Sequence, residues 1–447
     1  MIQRTHAFLI GIVVLFMASL LAFLSGWMLA SSSNGLVPNR FVTVPNSSAP
    51  LGTQPPPVSA SDQFGVYWDV WRLVEREFYY TEPLDQQGMV YGSIRGMLGA
   101  LDDQYTIFQE PEDASRSRES LQGKFEGIGV YMRVENGAVL VDRPIRGSPA
   151  MQAGLLSGDV IEQVDGQRVA DLIVGLSEAE AMQAVARQIR GPKGSTVRLT
   201  LTRPSEQRTF EVDIQRDEVP LISVNARMLE NQIAYIQLSE FKATTAGELD
   251  EALRELLPQQ PTAVVLDLRN NPGGLLTTAQ EVLGRFYTGT ALYEQLRGGE
   301  LKEFRTISGA SDVRVPPVPL VVLINGRSAS AAEIVAGALR DQRPQTMLLG
   351  ETSFGKGSVQ NIHQLRDGSS VRITIAEWLT PAKQVIHEIG ITPEHIVAES
   401  QDAEHRVPCV QEGATAEQEC YDAQLAWSLR LIISGAAPPP PEPTPVG

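Results

Sequence analysis

The alternation of short apolar strands with amphipathic helices, which runs from residue 231 onward, most restricts the folds open to this chain. In chain order the strand-like and helix-like runs are 233–238, 246–257, 263–268, 277–286, 320–324 and 331–339. Strands that alternate with helices favour a layered core in which helices cover a sheet. We therefore predict an α/β fold for this part of the chain.

The charge balance excludes one class of function. The 447 residues include 37 basic and 53 acidic side chains, which give a net charge of −16, and the sequence contains no strongly basic run. A protein that binds nucleic acid needs a basic surface to displace the counterions of the phosphates. We therefore expect no nucleic-acid partner.

An uncharged, mostly apolar run occupies residues 7–30 and follows Arg4. A membrane-spanning helix needs about 20 apolar residues, whereas the apolar core of a signal peptide has roughly 7–15. The run therefore favours an uncleaved transmembrane anchor, with a cleaved signal peptide as the alternative. Arg4 and the N-terminal amine favour a cytoplasmic N-terminus, which leaves the rest of the chain on the periplasmic or extracellular side of the membrane.

Other features belong to the segments on either side of the folded region. Residues 31–62 are rich in Ser, Pro, Asn and Gly and predict a flexible stalk, while residues 436–447 predict an extended proline-rich tail. Cys409 and Cys420 are the only cysteines, and in an exported protein they indicate a disulfide, with two free thiols as the alternative. We expect the helix-like run 421–430 to pack either on its own core or on a second copy in a homo-oligomer.

Glycine turns and short strands dominate residues 118–205. Gly127 and Gly129 stand just before a strand, where consecutive backbone N–H groups can form a concavity that binds an anion. The segments G-S-P-A, A-G-L, G-D-V-I and V-D-G follow in that order, and the whole pattern resembles a PDZ domain. The resemblance implies that Glu126, Gly127, Ile128 and Gly129 line a loop that binds the C-terminal carboxylate of a peptide. The peptide would then add to the sheet as an extra strand.

Ser330 is a candidate nucleophile. An apolar strand ends at residues 325–326, a cluster of small residues follows, and a helix begins near Ala331. A serine at a helix N-terminus lies beside free N–H groups and the positive end of the helix dipole, which both favour a developing anion. Simple N-capping is the alternative role for such a serine.

Lys356 is a candidate base, because it stands between Gly355 and Gly357 in an otherwise strand-like stretch. A lysine can accept a proton near neutral pH only where burial lowers its pKa. The flanking glycines allow backbone to pack closely and exclude water. Gln360, four positions further on, would share a face with the lysine and orient its amine. A solvent-exposed turn lysine is the alternative.

The segment D-L-R-N-N-P-G-G at residues 267–274 joins a buried strand to a helix through a polar turn that suits an oxyanion donor. Together with S-A-S-A-A-E at 328–333 and F-G-K-G-S-V-Q at 354–360, it resembles the family of carboxyl-terminal processing proteases, including the tail-specific proteases. The order of the segments, and the PDZ-like insert ahead of them, match that family. The resemblance assigns one oxyanion donor to Gly273, with Gly274 as the alternative.

The resemblance also implies a role for the other matched positions. Ser330 would be the nucleophile, Lys356 the general base and Gln360 the residue that positions the lysine. The backbone N–H groups of Gly273 and Ala331 would form the oxyanion hole. The interval between serine and lysine is one residue longer than is usual in the family, which removes no catalytic group.

The implied architecture is a crotonase-like α/β protease core with an inserted PDZ domain and an N-terminal helical region. The expected boundaries are 1–30 for the anchor or signal, 31–62 for the stalk, 63–117 for the N-terminal helical region, 118–205 for the PDZ domain, 206–398 for the core and 399–447 for the C-terminal segment. The expected function is a serine endopeptidase that needs no cofactor or metal. Its expected partners are exported proteins or peptides, which it recognises by their exposed C-termini.

Other functions fit the sequence less well. A Ser-His-Asp hydrolase needs a G-x-S-x-G nucleophile elbow, but residues 326–330 are G-R-S-A-S and the histidines stand in no supporting motif. A zinc enzyme would need an H-E-x-x-H or a paired-cysteine pattern, and neither occurs. A non-catalytic PDZ adaptor with an inactive hydrolase core is the alternative from another class of function. Loss of Ser330 or Lys356 would have indicated that class.

Overall fold

The computed structural model describes residues 63–79, 82–309, 311–400, 402–410 and 418–439. The predicted anchor, the predicted stalk and the end of the proline-rich tail lie outside these residues. Within the described ranges, no helix combines the length and the apolar character needed to cross a membrane. Membrane anchoring therefore stays a prediction.

Helix α1 (Phe64–Glu77) belongs to a compact unit of its own that ends at Glu77. Val66, Val70 and Val74 recur every four residues, which is the spacing that predicts a helix. The structure confirms this helix. None of its side chains is buried.

The second compact unit begins with helices that complete the N-terminal helical region. Its first elements are helix α2 (Gln86–Gly99), strand β1 (Ile107–Gln109) and helix α3 (Pro111–Gln122). Asp85 caps α2, because its side chain accepts a hydrogen bond from the Gly88 N–H at 2.8 Å. Helix α3 ends at Gly123, whose φ of 75° is the left-handed conformation that often terminates helices. The predicted N-terminal helices are therefore confirmed.

The PDZ-like insert is an antiparallel sheet flanked by helices. Its elements are β2 (Lys124–Gly127), β3 (Val130–Glu135), β4 (Ala138–Pro144), α4 (Pro149–Gln152), β5 (Val160–Val164), β6 (Gln167–Arg168), α5 (Val169–Leu172), α6 (Glu178–Ile189), β7 (Thr196–Arg203), β8 (Arg208–Gln215) and β9 (Asp217–Pro220). Strands β3, β4, β5, β7 and β8 pair in that order, so β3 lies at an edge. Strand β8 pairs with β7 as far as Gln215, and the sheet therefore continues past the boundary expected at residue 205.

One apolar cluster and one ribbon hold the insert in place. Val141 on β4, Val185 on α6 and Leu199 on β7 are fully buried in the same cluster. Helix α6 starts with a reciprocal cap, since the Ser177 N–H donates to Glu180 Oε2 at 2.9 Å. Outside the sheet, β2 pairs with β9 in antiparallel fashion. The chain therefore enters and leaves the insert side by side.

The core follows the insert and contains two large sheets and one small antiparallel pair of strands. Its elements are β10 (Val224–Leu229), β11 (Ile233–Leu238), α7 (Thr245–Leu256), β12 (Ala263–Asp267), α8 (Leu276–Phe286), β13 (Thr290–Leu296), β14 (Leu301–Arg305), β15 (Leu320–Ile324), α9 (Ala331–Gln342), β16 (Thr346–Gly350), β17 (Ser358–Gln364), β18 (Ser370–Leu379), β19 (His395–Ile396), β20 (Arg406–Pro408), β21 (Glu419–Tyr421) and α10 (Ala423–Ser434). The alternation of strands and helices predicted from the sequence is confirmed.

The main core sheet has the strand order β10-β11-β12-β15-β16-β19. Only β10 is antiparallel to its neighbour, and the other pairs are parallel. Every residue of β12 and β15 is buried, as expected for central parallel strands covered on both faces. Because the strands are parallel, the turns that follow them leave the same edge of the sheet.

Alternate residues of the central strands enter hydrophobic clusters on opposite faces. On β12, Val264 and Leu266 join the cluster formed with α7, α8 and α9, whereas Val265 joins the cluster formed with α10. Leu425 of α10 is fully buried in that second cluster. Packing on the core of its own chain, one of the two expected arrangements of the C-terminal helix, is therefore confirmed.

The second core sheet is antiparallel and joins the N-terminal region to the core. Strand β18 pairs with β1, β13 and β17. Strand β17 begins at Ser358, directly after the Lys356 segment. The second sheet therefore holds one side of that segment, and β1 brings residues of the N-terminal region close to it.

A buried ion network fastens α10 to the turn after β12. Asp267 has no exposed surface and accepts hydrogen bonds from the Tyr235 hydroxyl at 2.8 Å and from Arg269 Nη2 at 2.6 Å. Arg269 Nη2 also donates to Oδ2 of Asp422, the N-cap of α10, at 2.8 Å. Burial acts to lower the pKa of the Arg269 guanidinium, but the adjacent carboxylates outweigh it and raise that pKa. The arginine therefore stays charged.

The expected disulfide is also present. Cys409 and Cys420 are bonded, with their Cα atoms 4.9 Å apart. The bond lies at the antiparallel pair β20–β21, in which Val407 pairs with Cys420. The interpretation of the two cysteines as a disulfide is therefore confirmed.

Replacement of Arg269 by glutamine should lower the free energy of unfolding by about 3–5 kcal/mol, because Asp267 would keep a buried charge without its partner. Urea unfolding followed by circular dichroism measures the change. Arg198 is the matched control, since its 2.6 Å pair with Asp213 leaves 57% and 52% of the two side chains exposed. Arg198→Gln should leave the unfolding midpoint nearly unchanged, and equal losses in the two variants would contradict a stabilising role specific to the buried network.

Candidate active site

Ser330 lies where β15 ends and α9 begins, at the carboxyl edge of the main sheet. Its backbone has φ 55° and ψ −115°, a conformation that is rare for a residue other than glycine and costs about 1–3 kcal/mol. Two hydrogen bonds of Ser328 hold the turn before Ser330. Ser328 Oγ accepts from the Asn325 N–H and donates to the Leu268 carbonyl, both at 2.9 Å. The candidate nucleophile is thus held at a helix N-terminus in a strained backbone.

The glycine turn after β12 packs directly against the serine. A Cβ on Gly273 would lie 2.7 Å from Ser330 Cβ and 2.9 Å from the Ala331 nitrogen, so a larger residue would not fit. Among the described residues the Ala331 N–H has no acceptor, as expected at the first position of a helix. The Gly273 N–H donates to Asn271 Oδ1 at 2.9 Å, whereas the Gly274 N–H has no acceptor in the described part of the chain. The candidate oxyanion donors therefore lie beside Ser330, and Gly274 has the free N–H of the two glycines.

The Lys356 segment packs against backbone on both sides of the lysine. A Cβ on Gly355 would lie 2.9 Å from the Gly390 nitrogen, and a Cβ on Gly357 would lie 2.5 Å from the His387 nitrogen. Gly355 also has a φ of 89°, which favours glycine. The two glycines therefore allow the close backbone contact that the sequence predicts around the lysine.

The surroundings of Lys356 favour its neutral form on balance. Burial lowers the pKa of the Lys356 ammonium, and the positive charge of Arg372 lowers it further. Asp103 and Glu333 act in the opposite direction. Lys356 Nζ also lies 5.0 Å from the centroid of the Tyr105 ring, and this contact favours the charged form. The net result is a lysine whose pKa is below its ordinary value.

The serine and the lysine are neighbours, but their side chains are not bonded. Their backbone nitrogens lie 2.7 Å and 2.9 Å from the same oxygen, Oε2 of Glu333. No hydrogen bond joins Lys356 Nζ to Ser330 Oγ within the residues that the structure describes. Gln360 Nε2 instead donates to the hydroxyl oxygen of Ser358 at 2.9 Å, and in the same residues Gln360 makes no hydrogen bond to the lysine. The role of Gln360 therefore stays a prediction.

Glu333 is a member of the site that the motif analysis left without a role. Its side chain is fully buried on the first turn of α9. Oε1 accepts hydrogen bonds from Ser353 Oγ at 2.6 Å and from the Gly355 N–H at 2.7 Å, in addition to the two amides that bond to Oε2. Burial raises the pKa of the Glu333 carboxyl above its ordinary value and outweighs these four hydrogen bonds, which act to lower it.

Three other residues at the site come from outside the matched segments. Asp103 and Tyr105 belong to the turn before β1, and Arg372 lies on β18. The Thr374 N–H of β18 donates to Thr106 Oγ1 at 3.1 Å and holds that turn against the sheet. No local pattern in the sequence marks these residues, since they reach the lysine only through pairing of the second sheet.

The predicted peptide loop of the insert presents backbone rather than side chains. Glu126 and Gly127 belong to β2, where they pair with β9. Ile128 is 1% exposed, and its side chain lies in the apolar cluster of the insert. Gly129 has a φ of 76°, and a Cβ there would lie 2.3 Å from Ser148 Cβ. The loop leads into β3, whose outer edge is unpaired in the described sheet.

Within the described ranges, no three His, Cys, Asp or Glu side chains stand close enough together to hold a metal ion. His387 lies beside Tyr105, with 6.1 Å between the ring centroids.

Comparison with known protein families gives two matches that follow the domain organisation. Residues 232–397 match the family described as Peptidase family S41, and residues 140–203 match the PDZ domain. The first match contains the glycine turn, Ser330 and Lys356. The second covers most of the insert.

The similarity to individual curated relatives extends over more of the chain. The carboxy-terminal processing protease CtpA of Bacillus subtilis is 37% identical over 321 residues, which are 70% of this chain and 65% of the relative. The carboxy-terminal-processing protease of Bartonella bacilliformis is 35% identical over 339 residues, which are 75% of each protein. The carboxyl-terminal-processing protease of Synechocystis is 32% identical over 370 residues, which are 78% of this chain and 84% of the relative. The chain therefore belongs to the carboxyl-terminal processing proteases of peptidase family S41.

Proposed function

We propose that the chain is a serine endopeptidase that cleaves exported proteins with a Ser330–Lys356 dyad. One observation carries the proposal: the backbones of Ser330 and Lys356 bond to the same oxygen of Glu333. The lowered pKa of the lysine and the free N–H of Ala331 support the same reading of the site. The processing activity named for the relatives also supports it.

The proposed reaction begins when neutral Lys356 takes the proton of the Ser330 hydroxyl as its oxygen attacks the scissile carbonyl. The carbonyl oxygen becomes negative and receives hydrogen bonds from the Ala331 N–H and from Gly273 or Gly274. The lysine ammonium then gives the proton to the leaving amine. Water repeats the sequence on the acyl-enzyme and restores the serine.

The absence of a hydrogen bond between the Ser330 and Lys356 side chains is compatible with this reaction. Catalytic hydrogen bonds are often long or poorly aligned before substrate binds, and they tighten in the complex. In this proposal the Lys356 and Ser330 side chains, whose backbones share the Glu333 oxygen, turn toward each other when substrate binds. In this proposal Gln360, four residues on, orients the lysine once it has turned.

A non-catalytic PDZ adaptor is the second candidate. The unpaired edge of β3 favours it, because this edge alone would suffice to bind a peptide. The strained backbone of Ser330 argues against it. Such strain costs stability and persists where a site needs it, which is expected of a nucleophile and unnecessary for an adaptor.

We infer in addition that the PDZ domain binds the C-terminal end of the substrate beside β3. Helix α6 packs against β3, so an extended peptide can lie between them and pair with the free strand edge. The backbone of the loop at Gly127, Ile128 and Gly129 would receive the terminal carboxylate. An apolar last side chain is favoured by the residues of β3 that pack on the apolar cluster of the insert, Val130, Met132 and Val134.

Removal of either member of the dyad should abolish cleavage of an unfolded protein substrate. Ser330→Ala and Lys356→Ala should each lower kcat on the order of 10⁴-fold and leave the circular dichroism spectrum unchanged. Lys356→Arg should be equally inactive, because a guanidinium stays protonated. Appreciable turnover by Lys356→Arg would exclude the dyad.

Wild-type activity should rise with pH through an apparent pKa below that of a free lysine, since burial lowers the pKa of Lys356 and only its neutral form accepts the proton.

Amidation of the substrate C-terminus should slow cleavage of a long unfolded substrate several-fold, because the neutral amide bonds more weakly to the loop amides. A terminal Asp should have the same effect. Gly129→Val should mimic amidation, since its Cβ would collide with Ser148. Gly137→Val is the matched control, because Gly137 has the same φ of 76° but open space around it. Equal cleavage rates for free-acid and amide substrates would remove carboxylate recognition from the proposal.

We propose that residues 7–30 anchor the chain in the membrane, with the catalytic core on the periplasmic or extracellular side. The length and apolar character of this run support the proposal. The mature protein should then keep its N-terminus and sediment with membranes, and added protease should digest the core in cells stripped of outer layers. A soluble mature form that begins near residue 31, identified by N-terminal sequencing, would indicate a cleaved signal instead.

A further inference from the structure

Glu333 lies at the centre of the site, and the proposed reaction gives it no proton or substrate to handle. It occupies the first turn of α9, where a glutamate commonly reaches back to the N-cap amide of its own helix. Ser330 is that N-cap, and its N–H donates to Glu333 Oε2 at 2.7 Å. This first bond alone would be an ordinary helix cap.

The other three bonds go beyond a cap, because their donors lie in the segment after β16. Ser353 Oγ and the Gly355 N–H donate to Oε1, and the Lys356 N–H donates to Oε2 at 2.9 Å. One carboxylate therefore joins two segments that are distant in sequence. Its Oε2 is a direct bridge between the amides of the candidate nucleophile and the candidate base.

The hydrogen-bond pattern matches an ionised carboxylate. All four partners are donors, so both oxygens act only as acceptors. A proton on Oε2 would face two backbone N–H donors and displace a bond, and on Oε1 only the Ser353 hydroxyl could turn to accept it. The buried charge is thus compensated by hydrogen bonds, as buried charges require.

The charge also acts on the lysine. The groups that face Lys356 are Arg372, Asp103, Glu333 and the ring of Tyr105. Burial and Arg372 favour the neutral amine, while the two carboxylates and the ring favour the ammonium. Loss of the Glu333 charge would therefore shift the balance toward the neutral amine.

We propose that Glu333 is a positioning residue, whose ionised carboxylate fixes the backbones of Ser330 and Lys356 relative to each other and keeps a negative charge beside the base. The bond to the Ser330 amide also helps to hold the strained backbone of the nucleophile. The proposal rests on the proposed dyad for its catalytic meaning, but the charge beside Lys356 can be measured without catalysis.

The test measures the ionisation of Lys356 directly, in the full chain with Ser330→Ala so that no turnover occurs. Acetic anhydride acylates neutral amines, and mass spectrometry of the Lys356 peptide at a series of pH values gives the midpoint of its labelling. Glu333→Gln keeps the size of the side chain and removes the charge. The midpoint should move to lower pH, because the amine loses a neighbour that favours its ammonium.

A second measurement uses the chain with Ser330 intact and a short peptide that bypasses the PDZ domain. Glu333→Gln should lower kcat on the order of a hundredfold with little change in KM, because glutamine keeps only one acceptor oxygen and its NH2 group would face two of the four donors. Glu333→Asp keeps the charge but shortens the side chain by one methylene. It should lower kcat in the same direction while the labelling midpoint stays near that of the parent.

Glu248 provides a matched control. It also accepts four hydrogen bonds, from the Ser223 N–H, the Ser223 hydroxyl, the Val224 N–H and the Thr244 hydroxyl, at the start of α7. Glu248→Gln should therefore disturb the same number of hydrogen bonds at a helix start but leave the labelling midpoint of Lys356 unchanged. This comparison separates a specific effect on the lysine from a general loss of stability.

Each outcome has a distinct meaning. An unchanged or higher labelling midpoint in Glu333→Gln would overturn the electrostatic part of the proposal, and full activity of Glu333→Asp would overturn the positioning part. If Glu333→Gln fails to fold, the kcat of Glu333→Asp still tests the positioning part of the proposal. A labelling midpoint that moves in Glu333→Asp would contradict the electrostatic part, because this variant keeps the charge. If the parent cleaves no peptide in a Ser330-dependent way, the proposed function fails, while the labelling experiment still tests the charge beside Lys356.

Discussion

Parallel pairing of β12, β15 and β16 is the constraint on which the site depends. Parallel strands end at the same edge of a sheet, so the turns after Asp267, Ile324 and Gly350 leave the core side by side. These turns carry the glycine pair, the serine and the lysine. The central strands are buried on both faces, and a close-packed interior resists displacement. The sheet therefore provides the rigid support that a strained Ser330 requires.

The site residues that could be predicted from the sequence are those whose immediate neighbours in the chain form a recognisable pattern. Gly273, Gly355 and Gly357 stand where a Cβ would collide with backbone or with Ser330, and such positions leave a visible pattern of glycines. Ser330 could also be predicted, because its strand-to-helix turn is marked by a local cluster of small residues. Tyr105 and Arg372 could not be predicted, since they meet Lys356 only after β1 and β17 have paired with β18. Their place follows from tertiary pairing, which no local spacing encodes.

In the fold, too, the elements marked by local sequence patterns could be predicted and those that depend on tertiary pairing could not. The buried strands of the main sheet and the helices between them follow from apolar runs and helical periodicity. The antiparallel second sheet was not predicted, because its strands are partly exposed and carry mixed polar and apolar residues, as the burial along β14 illustrates. The network of Asp267, Arg269 and Asp422 was missed for another reason. Asp422 lies 153 residues from Arg269, and only the fold brings it to the Asp267–Arg269 pair.

The ribbon of β2 and β9 has a consequence for how such a protein can change over generations. Lys124 pairs with Pro220 and Gly127 with Asp217, so the two connections of the PDZ domain run as neighbouring strands about 5 Å apart. A domain attached through two adjacent points can be gained, lost or exchanged by recombination without altering the path of the chain through the core. Selection on what the PDZ domain binds can therefore act separately from selection on the catalytic core.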